Sequence, residues 1–326
     1  MKHWKLTALG LFLLGLAAVI YVTTPPALVN AASTLAVPGD IDAFLATSER
    51  SAAEAFPLVP NTEKRIVWRK PGVRSRFAVV YLHGFSATRQ ETAPLAEQVA
   101  AALDANLFET RLTGHGRTES PLFDVTAEDW LEDATEALAI GAQIGEQVIV
   151  IGTSTGGTLA LAMSQHEAAA PVTHFILISP NIKPSNETAQ WATRPAGRLI
   201  ARLFVGPTRS WTPHNEQQAR YWSTSYPTAA AIEVMRLVKY VNTLLPLELD
   251  ADLLVMLSPN DKVVSPLATR YAFNRIDAPR KNILEYIDSL DPSSHVLAGD
   301  IMAPQATAGV AAAIIEFIEV DDAPEL

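Results

Sequence analysis

The chain has 326 residues, no cysteine and a formal net charge of −10 at pH 7, and 48% of its residues are hydrophobic. It is long enough to bury a substantial core in one large or two small domains. The lack of cysteine excludes disulfides, thiolate catalysis and Cys-ligated zinc. The negative charge, with no cluster of Lys or Arg, argues against nucleic acid as a partner.

The N-terminal residues 1–26 have the pattern of a membrane anchor or a signal sequence. Lys2 and Lys5 precede an uncharged stretch, Leu6 to Val22, whose length is at the lower limit for a spanning helix. Lysines on the near side predict that the rest of the chain is exported. We therefore expect an anchor in the inner membrane, with the catalytic domain in the periplasm or outside the cell. The alternative is cleavage after Ala31, which would leave a soluble exported protein.

Residues 27–60 are predicted to form a stalk or linker, and beyond them apolar strands alternate with helices. The predicted strands are 76–84, 106–112, 147–152, 174–179, 252–257 and 282–287. The predicted helices are 94–103, a helix that starts near 126–129, 158–165, 266–275 and 305–319.

This alternation predicts an α/β fold with a mostly parallel sheet that is covered on both faces. It is expected to form a core in two parts, 61–180 and 248–326. Between them the alternation lapses, and residues 181–247 are predicted to be an inserted cap or lid. In such sheets ligands bind beyond the carboxyl ends of the strands, so the polar loops that follow the strands are where chemistry is expected.

A serine between glycines follows the strand 147–152. Residues 152–156, GTSTG, have the form G-x-S-x-G, and a helix is predicted to follow. A strand that turns abruptly into a helix strains the central residue and crowds its neighbours, which glycine at both flanks relieves. The pattern predicts that Ser154 is a nucleophile. The alternatives are a turn that only packs a helix on a strand, and a phosphate-binding loop, which the lack of Lys after Gly156 disfavours.

A serine hydroxyl needs a general base, and the base needs an acid that orients it. His295 lies in a loop after the last predicted strand, and it fits the chain order serine, acid, histidine. Asp261 follows the preceding strand and should emerge at the same edge as Ser154. Asp288 and Asp291 compete for the role of the acid because they lie nearer to His295 in sequence. Asp288 closes the last strand, however, and Asp291 precedes a proline in a turn-like stretch.

The oxyanion of a tetrahedral intermediate needs hydrogen-bond donors. The backbone amide of Thr155, at a predicted helix N-terminus, can supply one. Gly84 lets the chain turn at the end of its strand, so that the amide of Phe85 can supply the other. His83 is expected to brace this loop without titrating in catalysis.

Short motifs spread from Tyr81 to Gly299 resemble one family. They are YLHGFSA, RLTGHGRT, GTSTGG, NDKVVSP and SSHVLAG. The chain resembles α/β-hydrolase-fold serine hydrolases of the monoacylglycerol lipase and carboxylesterase type. The resemblance implies the α/β-hydrolase fold and assigns the same nucleophile, acid, base and oxyanion donors. The departures are Thr155, where many relatives have Met or Gln, and the N-terminal anchor.

The predicted cap carries three tryptophans, Trp191, Trp211 and Trp222. Its position predicts an aromatic roof that receives an acyl or other apolar group. The alternative is that these aromatic residues only pack the cap on the body of the protein.

The sequence thus predicts a serine hydrolase that cleaves carboxylic esters of short or medium acyl chain, or monoacylglycerol-like substrates, through an acyl-enzyme. No cofactor and no metal are called for, and the expected partner is a small-molecule ester, besides the membrane. Thioesterase, amidase, peptidase and acyltransferase activities share this machinery and stay open. So does a protein that keeps the fold but only binds a ligand.

Overall fold

The structure is a computed structural model that describes residues 2–29, 37–287 and 291–319. Its strands are β1 (Arg65–Val67), β2 (Ser75–Leu82), β3 (Asn106–Glu109), β4 (Gly145–Thr153), β5 (Val172–Ile178), β6 (Thr208–Ser210), β7 (Ser225–Pro227), β8 (Leu247–Glu248), β9 (Asp252–Leu257), β10 (Ile276–Asp277) and β11 (Lys281–Glu285). Its α-helices are α1 (Lys2–Thr23), α2 (Ile41–Ala55), α3 (Leu95–Ala102), α4 (Ala127–Ile144), α5 (Thr155–Met163), α6 (Gly197–Phe204), α7 (Glu216–Tyr221), α8 (Thr228–Leu244), α9 (Pro266–Phe273) and α10 (Thr307–Glu319). Short 3₁₀ helices cover Arg89–Glu91, Glu167–Ala169 and Glu187–Thr193.

The main sheet has the strand order β1-β3-β2-β4-β5-β9-β11. Its neighbouring strands are parallel, except that β1 pairs antiparallel with β3 at the edge. The predicted mostly parallel sheet flanked by helices is therefore confirmed. Strand β1 was not predicted, because its short and partly exposed sequence carries no apolar run.

The side chains of the central strands alternate between two cores, one on each face of the sheet. In β2, Val80 and Leu82 belong to the larger core, whereas Val79 and Tyr81 face the other one. Helices α4, α5 and α8 contribute to the larger core, and α3 and α10 cover the opposite face. Each buried aliphatic side chain stabilises the fold by roughly 1.5–3 kcal/mol. Both faces are buried, which is why these strands read as continuous apolar runs.

The segment predicted as a cap contains α6, α7, α8 and the antiparallel pair β6–β7. Arg236 of α8 donates to the carbonyl of Pro26 at 3.0 Å, and the amide of Ala196 donates to the Thr24 hydroxyl at 2.9 Å. The chain that follows α1 is therefore bound to the cap. In the predicted stalk, Ile41 of α2 is buried against the larger core. The predicted domain boundaries stay a prediction.

The expected membrane anchor does not agree with the structure. Within the described part of the chain, no helix combines the length and the apolar character that crossing a membrane requires. The predicted membrane anchor is therefore wrong, as are the anchored location and the membrane partner derived from it. The alternative cleavage site at Ala31 lies outside the described residues.

Candidate active site

Ser154 stands at the turn between β4 and α5 with a strained backbone, φ +52° and ψ −114°. The glycines around it are required by space. A Cβ on Gly152 would lie 2.7 Å from the backbone of Gly156, and a Cβ on Gly156 would lie 2.0 Å from the carbonyl oxygen of Leu82. The crowding that G-x-S-x-G predicts is thus present. Because both glycines lack a side chain, the backbone of Ser154 can adopt its positive φ in this turn.

The backbone of Ser154 is fixed on both sides. Its amide donates to the Ile178 carbonyl at 2.8 Å, and its carbonyl accepts from the amides of Thr158 and Asn181, both at 3.1 Å. The strained conformation is therefore held by strand β5, by helix α5 and by the loop after β5. Such a held geometry keeps a side chain in place without a large loss of entropy during reaction.

His295 and Asp261 are brought together by loops that follow different strands. Nδ1 of His295 lies 2.7 Å from Oδ2 of Asp261, and both side chains are buried. The second oxygen, Oδ1, accepts from the amides of Val263 and Val264 at 2.7 and 2.9 Å. The carboxylate is thus oriented by its own loop, and one oxygen is left for the ring. Burial disfavours the imidazolium, but the hydrogen bond and charge of Asp261 outweigh it and raise the pKa of His295 above its ordinary value.

Ser179 connects the nucleophile loop with the histidine loop. It follows Ile178, whose carbonyl binds the Ser154 amide, and its hydroxyl donates to the His295 carbonyl at 2.8 Å. Its own amide donates to the carbonyl of Met256 at 2.7 Å. The loops after β4, β5 and β11 are therefore fixed to one another at the carboxyl edge of the sheet. Ser179 was not predicted from the sequence, because a single serine after a strand carries no pattern.

Asp291, the competing acid, faces the backbone instead of the imidazole ring. Its Oδ2 accepts from the amides of His295 and Val296, both at 2.9 Å, and from the hydroxyl of Ser293. Burial opposes the charge of this carboxylate, but these hydrogen bonds hold its pKa below the ordinary value. Asp291 therefore shapes the loop that carries His295. The other competitor, Asp288, lies outside the described residues.

Residues 83–87, called here the oxyanion loop, are held by two buried histidines. His83 Nε2 accepts from the Leu112 amide at 3.0 Å, which places the ring proton on Nδ1, 2.9 Å from the carbonyl of Gly84. His115 Nε2 accepts from the Ser86 amide at 3.1 Å. Burial lowers the pKa of His83 to about 4 and that of His115 well below its ordinary value. Both rings are therefore neutral at physiological pH and brace the loop as the sequence predicts for His83.

Among the backbone hydrogen bonds that the described loops, turns and helix caps make, none has the amide of Phe85 or of Thr155 as its donor. Because the carbonyl of Gly84 is bound to His83, the amide of the same peptide unit, that of Phe85, points to the opposite side. Thr155 is the first residue of α5, where an amide has no partner within the helix. These two amides are therefore the candidate donors for an oxyanion.

The three cap tryptophans do not lie together. Trp222 is buried in a small cluster with Ala87 of the oxyanion loop and Val296 beside the histidine, and Trp211 packs against this cluster. Trp191 is 53% exposed, with the guanidinium of Arg194 over its ring. The structure therefore brings Trp211 and Trp222, but not Trp191, to the candidate site.

Tyr226, an aromatic residue of the predicted cap, and Ser223, which was not predicted, connect the cap with the oxyanion loop. The ring of Tyr226 lies 5.0 Å from that of Phe85 in an edge-to-face contact. The amide of Ser223 donates to the carbonyl of Ser86 at 2.7 Å. The cap is thus in direct contact with the oxyanion loop.

Comparison with known proteins agrees with this geometry. The model of the alpha/beta hydrolase family matches residues 79–313, well over half of the chain. The chain belongs to the α/β-hydrolase family. The match contains the strained serine turn, the oxyanion loop and the loops of Asp261 and His295. The α/β-hydrolase family predicted from the motifs is thereby confirmed.

One relative of this α/β hydrolase is the thermostable monoacylglycerol lipase of Bacillus sp. (strain H-257). It is 25% identical over 252 residues, which cover 77% of this chain and 94% of the relative.

Solved structures share the fold. A structure of the metagenome-derived lipolytic enzymes LipS and LipT aligns with a TM-score of 0.67 at 21% identity, over 81% of this chain and 99% of that one. The monoacylglycerol lipase of Paleococcus ferrophilus aligns with a TM-score of 0.58 at 14% identity, over 78% of this chain and 97% of that one.

Proposed function

We propose that this α/β hydrolase cleaves carboxylic esters, with Ser154 as the nucleophile, His295 as the general base and Asp261 as the acid that orients it. The observation that carries the proposal is the buried contact of 2.7 Å between Asp261 and His295, at the same sheet edge as the strained Ser154. An Asp–His pair with a neighbouring activated serine is the arrangement that acyl transfer requires.

In the proposed reaction, the Ser154 oxygen attacks the ester carbonyl carbon while Nε2 of His295 takes the hydroxyl proton. Asp261 holds the proton on Nδ1 and stabilises the imidazolium. The amides of Phe85 and Thr155 bind the oxyanion. Collapse of the tetrahedral intermediate breaks the bond to the alcohol, which leaves with the proton from His295. Water, activated by the same base, then hydrolyses the acyl-enzyme and regenerates the serine.

The substrate we propose has a short or medium acyl chain or is a monoacylglycerol-like ester. Trp222, Tyr221 and Met302 pack in one cluster with Ala87 of the oxyanion loop, and an apolar wall of this kind suits an acyl group. The monoacylglycerol lipase relative supports the same class of substrate.

The test is hydrolysis of p-nitrophenyl esters of graded chain length by the wild-type protein and by Ser154→Ala. We expect turnover by the wild type and a loss of several orders of magnitude, roughly 10⁶-fold, in the variant. The matched control is Ser164→Ala, which removes a serine at the far end of α5. Hydrolysis by Ser154→Ala at the wild-type rate would refute the proposal.

A further inference from the structure

A buried carboxylate that the proposed reaction does not use lies behind the oxyanion loop. Glu91 ends the 3₁₀ helix Arg89–Glu91 and is only 2% exposed. A Cβ built on Gly84 would lie 2.7 Å from Oε1 of Glu91 and 3.2 Å from Cβ of Ser154. Gly84 is therefore sandwiched between this carboxylate and the nucleophile. Glycine is needed there because a side chain would displace one or the other.

The carboxylate is bound to the oxyanion loop. The amide of Gly84 donates to Oε2 of Glu91 at 2.7 Å, while the carbonyl of Gly84 faces Nδ1 of His83 at 2.9 Å. Both polar groups of Gly84 are thus held by side chains. Because these two bonds restrict the dihedral angles of Gly84, they fix the direction of the next amide, that of Phe85.

The same residue is packed against the segment that carries His295. The amide of Asp300 donates to the Ala93 carbonyl at 2.8 Å, and a Cβ built on Gly299 would lie 2.7 Å from the carbonyl oxygen of Glu91. The charge of Glu91 adds to that of Asp261 in raising the pKa of His295 against the effect of burial. Glu91 therefore acts on the base as well as on the loop.

We propose that Glu91 is a positioning residue for the ester hydrolysis proposed above. Its carboxylate holds the oxyanion loop through the amide of Gly84 and stabilises the imidazolium that forms on His295. Asp261 contacts the ring of His295 itself, whereas Glu91 contacts the oxyanion loop. This inference rests on the proposed function, since the imidazolium is formed in that reaction.

The titratable groups that face Glu91 in the described structure are Tyr81, His295 and Asp291. Burial raises the pKa of Glu91 to about 7; the Gly84 amide and His295 act to lower it, and Asp291 acts to raise it. Tyr81 stays neutral, because burial and the charge of Glu91 raise its pKa well above the ordinary value. Glu91 is therefore ionised above about pH 7, where His295 must be neutral to act as the base.

Two variants separate the charge of Glu91 from its hydrogen bond. Glu91→Gln keeps an acceptor for the Gly84 amide but removes the charge. We expect kcat to fall roughly tenfold at unchanged KM, well below the roughly 10²–10³-fold effect of losing an oxyanion donor. The acid limb of the kcat/KM profile should move to lower pH, because His295 loses an attractive charge and its pKa falls. Glu91→Asp keeps the charge, so its acid limb should stay at the wild-type position.

The control is Glu109→Gln, which removes another buried carboxylate, one that pairs with Arg65 and Arg89. It should lower stability without moving the acid limb. A shift of the acid limb in Glu109→Gln equal to that in Glu91→Gln, or no shift in Glu91→Gln, would overturn the inference. If Glu91→Gln fails to fold, the profile of Glu91→Asp decides, and an acid limb displaced to lower pH there would contradict it.

Failure of this inference is distinct from failure of the proposed function. If the function is wrong, the wild-type protein does not hydrolyse the esters and no profile exists. If only the role of Glu91 is wrong, the wild type hydrolyses them and Glu91→Gln has the wild-type profile.

Discussion

The carboxylate of Asp261 contacts Nδ1 of His295 at 2.7 Å, although 33 residues separate the two along the chain. The contact exists because β9 and β11 are neighbours in the sheet, so the loops that follow them end at the same edge. The amides of Val263 and Val264 occupy the other carboxylate oxygen. The position of the acid is therefore a consequence of sheet topology and not of closeness in sequence.

We predict that Asp261→Asn lowers kcat by roughly 10³–10⁴-fold with little change in KM. The amide can accept a bond from the loop but favours the wrong tautomer of His295. Steady-state kinetics on a p-nitrophenyl ester measure the effect. An Asp261→Asn variant within tenfold of the wild-type kcat would remove Asp261 from the role of the acid.

Asp291→Asn should act on stability more than on turnover. We expect a loss of kcat of about tenfold or less. The free energy of unfolding should fall by about 2 kcal/mol, because charge-assisted bonds to the amides of His295 and Val296 are weakened. Urea unfolding of this variant beside Asp261→Asn checks the contrast. A kcat as low as that of Ser154→Ala would show that Asp291 is the acid.

The sequence was sufficient for those features that follow from local patterns. The apolar runs predicted the strands. The capping box of Thr126 and Asp129, which starts α4, predicted a helix N-terminus. The glycines around Ser154 predicted the strained turn, since their cause lies within a few residues. The motifs that indicated the family are also short local patterns, and the family was confirmed.

Features that depend on distant packing could not be predicted. Nothing near Glu91 in sequence indicates that its carboxylate meets Gly84, and nothing near Tyr226 places its ring against Phe85. The membrane anchor was predicted from an uncharged stretch at the lower limit of spanning length, and no helix among the described residues meets the length and apolar character that a span requires. The sequence does not show how the chain of the cap folds back on the body of the protein. It therefore could not distinguish Trp211 and Trp222, which lie at the site, from Trp191, which does not.

The buried histidines predict a pH dependence of stability. Burial lowers the pKa of His83 to about 4 and holds that of His115 well below its ordinary value. Their contribution is present above about pH 6.5, the ordinary histidine pKa, and is lost as the pH falls toward the folded value. We expect the free energy of unfolding to fall between about pH 6.5 and 4, by up to about 1.4 kcal/mol per pH unit for each histidine.

Urea unfolding at a series of pH values measures this slope. His115→Gln should reduce it, because one of the two buried rings is gone, whereas His214→Gln, which removes an exposed histidine of the cap, should leave it as it is. A slope in His115→Gln equal to that of the wild type would contradict the neutral, buried state of this ring.

Covalent labelling tests the nucleophile, on which the whole account depends. A fluorophosphonate reacts with an activated serine, and peptide mass mapping of the labelled protein identifies the residue. We predict one adduct on Ser154 in the wild type and no adduct in Ser154→Ala. Labelling should be strongly slowed in His295→Ala, because the base is gone. An adduct on another serine, or undiminished labelling of Ser154→Ala, would contradict the account.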